Sequence, residues 1–187
     1  MARRSLWGEA VIATLPAEYI DASDLRQVPD TQEVFLAPDS DISVILEILQ
    51  AVDLKQDEEA IRHIFDSLAH DNDAFSSKVT DVTALSTSQD GLSRASLRGW
   101  QSVSKFNKSS DQADLVRIYL GLIRIPANLT RSKTQGAEML VCVNAPAGKA
   151  LELLQQNATA LQDESVPLAV FEQIMDSLHI VDYSLFA

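Results

Sequence analysis

At 187 residues and 46% hydrophobic content, the chain is long enough to bury one substantial core, and a single domain spanning 1–187 is expected. Lysine and arginine total 15 against 27 aspartate and glutamate, a formal net charge of -12, which argues against nucleic acid as a partner and disfavours an anionic membrane surface. Either the charge serves solubility, or it meets a basic protein partner steered in by the opposite field.

The start, Ala2-Arg3-Arg4-Ser5-Leu6-Trp7, imitates a basic targeting region, but Glu9 interrupts it, no long apolar run develops, and the segment reads as mature protein. Ala10 to Leu15, closed by Pro16, predicts a strand, and Glu33 to Leu36, closed by Pro38, predicts another. Between them runs an acidic stretch from Ala17 to Val34, carrying Asp21, Asp24, Asp30 and Glu33. It is too polar for a core, so it is either a solvated connector or a surface built for a basic partner. Asp30-Thr31-Gln32-Glu33 after Pro29 suits a capping box or a type I turn, and Asp21 and Ser23 suit caps for the turn containing Asp24-Leu25-Arg26.

Beyond the second strand, Ile42, Ile45, Leu46, Leu49 and Val52 recur at three- and four-residue spacing and predict a helix, with Asp39, Ser40 and Asp41 as candidate N-caps. The signal weakens from Asp53 to Asp111. Asp57 to Ala69 suits a helix, while Ile61, Ile64, Phe65 and Leu68 also partly suit a strand, so mixed structure is expected. Ser76 to Ser88 reads as loop with one strand at Lys78 to Val82, Ser93 to Phe106 as a strand, and Asn107 to Asp111 as an exposed turn.

Leu115 to Ile125 is the strongest strand in the chain, apolar on both faces and therefore central, with Glu138 to Asn144 as its antiparallel neighbour. A helix over Lys149 to Leu161 is expected. A final amphipathic helix starts near Val166, with Ser165 as N-cap, Pro167 in the first turn, and Leu168, Phe171, Met175 and Leu178 facing inward. The sum is an α+β fold, a central mainly antiparallel sheet flanked by helices.

The search for chemistry is negative. The sequence has no glycine-rich phosphate loop with lysine, no dinucleotide fingerprint and no nucleophile elbow. His63, His70 and His179 are scattered, so no metal and no cofactor are expected. Cys142 sits among apolar residues and reads as a small buried hydrophobe. The carboxylates of the acidic stretch have no histidine or lysine close in sequence to tune them for acid/base work. No window approaches the roughly 20 apolar residues of a membrane span.

Three matches carry a resemblance. Leu15-Pro16 followed by Tyr19-Ile20-Asp21-Ala22-Ser23-Asp24-Leu25-Arg26, then Val28-Pro29-Asp30-Thr31-Gln32-Glu33-Val34, closely resembles the Ran guanine nucleotide release factor family, the Mog-type nuclear transport factors. The ending His179-Ile180-Val181-Asp182-Tyr183-Ser184-Leu185-Phe186-Ala187 is similar to the fungal branch, and Leu115 to Pro126 with Asn144-Ala145-Pro146 is similar in character. The resemblance implies a PsbP-like α/β/α sandwich that binds the small GTPase Ran and promotes guanine nucleotide release in support of nuclear import, with no covalent chemistry of its own. It places the protein in the nucleus and also the cytoplasm, and leaves room for other Ran-binding proteins in the complex. The family's Ran-contacting acidic residues fall on Asp30 and Glu33, with Asp24, Leu25 and Arg26 on the same surface. An adaptor that binds a partner without affecting exchange is the alternative. One departure is Glu9, which stands where members often carry a second glycine after Gly8, and it bears on how the first strand is entered.

Overall fold

The computed structural model describes residues 1–85, 91–104, 112–149 and 164–186. Ten strands appear among them: β1 (Ala2–Leu6), β2 (Val11–Leu15), β3 (Ile20–Asp21), β4 (Gln32–Leu36), β5 (Ser43–Gln50), β6 (Ser76–Leu85), β7 (Ser93–Val103), β8 (Asp114–Ile125), β9 (Ala137–Lys149) and β10 (His179–Ile180). Two α-helices accompany them, α1 (Asp57–Asp71) and α2 (Ser165–Ser177). The main sheet runs β3-β4-β5-β9-β8-β7-β6 with antiparallel pairing throughout, and a smaller sheet runs β1-β2-β10.

The two-sided apolar character of β8 divides the core. Ile118, Leu120 and Leu122 pack with Ala60, Ile61, Ile64 and Phe65 of α1 on one face. Tyr119, Ile123 and Ile125 turn to the other face, where Val170, Phe171, Ile174 and Met175 of α2 and Val11, Ala13 and Leu15 of the small sheet cover them. Helices thus lie on both faces of a central antiparallel sheet, as expected, with β8 between β7 and β9. Arg94, buried on β7, donates to the Met175 carbonyl (3.0 Å), setting a cation against the carbonyl end of α2.

Four expectations need correction. The expected helix over Ile42 to Val52 is instead built around the strand β5, Ser43–Gln50. Val44 and Leu46 bury on the α2 face while Ile45 and Leu49 pack toward α1, so apolar residues fall at both periods. The β-branched Val44, Ile45 and Ile48 and the two ladders to β4 and β9 decide for strand. Asp39, Ser40 and Asp41 accordingly serve the β4–β5 connection, closed by Ala37 N donating to Ile42 O (3.0 Å). Second, Ser165 is the first residue inside α2; Glu164 holds the cap position with no side-chain cap bond. Third, Asp57–Asp71 is wholly helical, its first turn lined with Asp57, Glu58 and Glu59 at the positive end of the helix dipole. Fourth, β6 extends well past Lys78 to Val82 in both directions. The Asn107 to Asp111 turn and the Lys149 to Leu161 helix lie outside the described residues, apart from Lys149 at the end of β9.

Close approach constrains one glycine on the α1 face. A Cβ on Gly99 would sit 2.7 Å from the Lys78 carbonyl oxygen and 2.9 Å from the Phe65 ring. Gly99→Ala is expected to lower stability by about 1–3 kcal/mol, because a backbone atom and a fully buried ring must both give way. Urea unfolding of the variant measures it; an unchanged midpoint would mean that β6 shifts freely.

Candidate functional site

The acidic stretch is an ordered surface. Arg4 of β1 donates to the carbonyls of Ala17 (3.0 Å) and Tyr19 (2.9 Å) and lies over the Phe35 ring, tying the segment after β2 to the sheets. Asp21 then caps a single 3-10 turn, Ala22–Asp24, by accepting from Ser23 N (2.8 Å), and Leu25 N and Arg26 N both donate to Ala22 O (3.0 Å). Asp24, Leu25 and Arg26 are exposed on this turn, which packs against β4. Gln32 N donates to Pro29 O (2.8 Å), closing a β-turn with Asp30 at its tip. The turn alternative for Asp30-Thr31-Gln32-Glu33 therefore holds and the capping box does not, since Gln32 and Glu33 are already in β4.

Asp30 and Glu33 are joined through a residue 26 positions upstream of Glu33. Trp7 N donates to Glu33 Oε1 at 2.7 Å, and the indole Nε1 of Trp7 donates to the main-chain oxygen of Asp30 at 3.0 Å. Trp7 opens the β1–β2 turn, where Trp7, Gly8 and Glu9 take φ values of 44, 63 and 77°. Three successive left-handed residues, two of them not glycine, are unfavourable on their own. The family departure at Glu9 falls on one of these positions, and β2 is nonetheless entered in register.

Burial pushes the Glu33 carboxyl above the usual carboxylate range, and nearby Asp21 adds to the rise while the Trp7 amide opposes it. The Asp30 side chain is exposed, and among the described residues nothing hydrogen-bonds its carboxylate. The structure thus brings Asp30 and Glu33 together and sets Asp24, Leu25 and Arg26 on the adjoining turn. Sequence reasoning missed Trp7 and the proximity of Asp21 to Glu33. The one usable signal for Trp7 was an aromatic residue directly before a glycine at a strand-to-strand turn.

Among the described residues no group of three histidine, cysteine or acidic side chains is placed to hold a metal ion, and His63, His70 and His179 are all exposed. No described helix is long and apolar enough to cross a membrane. Cys142 is buried on β9, and its thiol is pushed up to about 12 by burial and by nearby Glu47. The thiolate is the reactive form, so Cys142 is expected to resist thiol-labelling reagents in the native protein at neutral pH and to react once denaturant is added. Rapid native labelling would contradict this burial.

A family model described as Ran-interacting Mog1 protein matches residues 4–146. The chain is 31% identical over 192 residues to the Ran guanine nucleotide release factor of Danio rerio, covering 98% of each. It is 30% identical over 194 residues to the nuclear import protein mog1 of Schizosaccharomyces pombe, covering 97% of this chain and 98% of that protein. Among solved structures, the Saccharomyces cerevisiae Ran-binding protein Mog1p superposes with a TM-score of 0.75 at 25% identity, over 100% of this chain and 98% of that one. In fold alone, the cyanobacterial PsbP of Synechocystis is also similar, with a TM-score of 0.54 at 12% identity over 96% of this chain and 91% of that one. The expected PsbP-like architecture is borne out.

Proposed function

The chain belongs to the Ran-interacting Mog1 family, and from that premise we propose that it binds the small GTPase Ran and promotes release of its guanine nucleotide, supporting nuclear protein import from the nucleus and cytoplasm. It acts as a regulator with no covalent chemistry of its own. The observation that carries the reading is Asp30. Its main chain is locked by the closing turn bond and by the Trp7 indole, while its carboxylate stands in solvent. A carboxylate on a rigid mount suits capture of a basic side chain with little ordering cost.

Asp30 and Glu33 form the centre of the proposed Ran surface. Asp24 and Arg26 flank it with charge, and Leu25, 66% exposed, supplies apolar contact area beside them. The mechanism is differential binding. A partner that holds nucleotide-poor Ran more tightly than loaded Ran lowers nucleotide affinity by the same coupling factor. Carboxylates at the interface contribute by competing with the nucleotide phosphates for the positive side chains of Ran.

Calorimetric titration of this protein into Ran, with and without bound nucleotide, tests the reading. Tighter binding to the nucleotide-poor form, weakened by added salt, is the expected outcome. Equal affinity for both forms would leave an adaptor that binds without driving exchange.

A further inference from the structure

Resting on the Ran reading, we infer that Glu33 is a positioning residue, one that acts on the partner through the Trp7 turn, and that the turn Trp7-Gly8-Glu9 is itself part of the docking surface. The left-handed backbone of this turn is unfavourable for tryptophan and glutamate and persists only where its surroundings over-determine it. Two bonds to the β4 region do this: Glu33 Oε1 takes the Trp7 amide at 2.7 Å, and the Asp30 carbonyl takes the Trp7 indole at 3.0 Å. The first has the length of a charge-assisted hydrogen bond.

The commitments of the two carboxylates differ. Glu33 is half-buried and one of its oxygens is spent on the Trp7 amide. Asp30 is exposed and holds its place through its main chain only. Glu9, at the tip of the same turn, is exposed as well. A basic side chain on the partner therefore meets Asp30 and Glu9 first. Glu33 keeps them in register: its oxygen fixes Trp7, Trp7 fixes the Asp30 carbonyl, and the turn carries Glu9.

Glutamine at position 33 separates position from charge, because its side-chain oxygen still accepts from the Trp7 amide while the negative charge is gone. Ran affinity is measured by calorimetry for Glu33→Ala, Glu33→Gln and Trp7→Phe. Trp7 emission is read without Ran in a Trp100→Phe background, and each variant is checked by thermal melting. Glu33→Ala is expected to weaken binding about tenfold or more and to shift Trp7 emission to the red, as the turn lets go. Glu33→Gln is expected to recover most of that affinity with emission unmoved, and Trp7→Phe to weaken binding several-fold by losing the indole donor. Equal losses in Glu33→Gln and Glu33→Ala would overturn the inference in favour of direct charge pairing, as would full binding by Trp7→Phe. Absence of any binding by the wild type would refute the Ran reading instead, while an unmoved emission in Glu33→Ala would refute the positioning role on its own.

Discussion

Arg124→Ala is expected to lower stability by about 3–5 kcal/mol, because it strands a carboxylate that has no access to solvent. Glu138 on β9 is 0% exposed, and its Oε1 lies 3.1 Å from Arg124 Nε on the neighbouring strand β8. The same guanidinium reaches Asp57 Oδ1 at 3.4 Å and the Val52 carbonyl at 3.1 Å, so it ties the start of α1 and the segment that follows β5 to the sheet. Burial raises the Glu138 pKa and Arg124 is the main opposing influence.

A carboxyl whose pKa is raised by folding binds its proton more tightly in the native state, so its ionised form costs stability above that pKa, and the cost fades as pH falls through it. Removing Arg124 raises the Glu138 pKa further. The loss is therefore largest at neutral pH and shrinks in mild acid, and adding Glu138→Gln to Arg124→Ala recovers part of it. Urea unfolding of the single and double variants at both pH values checks this; an equal loss at both, with no recovery, would mean that packing of the arginine stem and not the stranded charge sets the cost.

Asp30→Ala is expected to weaken Ran binding more than about tenfold while leaving the fold untouched, since truncating one partner of a desolvated charge pair typically costs roughly 2–5 kcal/mol. The reason to expect an intact fold is specific. Both bonds that hold this turn use main-chain atoms, the Asp30 carbonyl toward Trp7 and the Pro29 carbonyl toward Gln32. A carboxylate with no partner among the described residues has little to lose in the free protein, so any large effect reads out the complex. Binding reduced only a few-fold would indicate that Asp30 lies at the rim of the interface, where charges stay solvated.

Much of this architecture is legible from residue patterns because the central strands are apolar on both faces. Leu115 to Ile125 can only be satisfied between two covered surfaces, and it runs through the middle of the sheet with α1 and α2 on either side. The same richness hid β5, whose apolar residues fit a helical stripe as readily as a two-sided strand. The first strand and the two ends of the sixth, beyond Lys78 to Val82, were obscured for the opposite reason. Arg3 and Ser5 of β1 face solvent, and β6 is an edge strand whose residues are mostly exposed, so neither shows an apolar run.

At the candidate site, Asp30, Glu33, Asp24, Leu25 and Arg26 came from a resemblance over one contiguous stretch. Residue chemistry alone left that stretch open between connector and surface. Trp7 was invisible because its contribution depends on contacts 23 and 26 residues away in sequence. The stretch Ala2 to Trp7 reads from sequence only as mature protein that imitates a basic targeting region, whereas Arg4 braces the acidic loop from within the small sheet.

The most direct measurement is the release of a fluorescent guanine nucleotide from purified Ran, followed with wild-type protein and with Asp30→Ala shown by circular dichroism to be folded. Marked acceleration by the wild type, largely lost in Asp30→Ala, is the predicted result. Release that proceeds at the intrinsic rate of Ran in the presence of saturating wild-type protein would contradict the exchange-factor account.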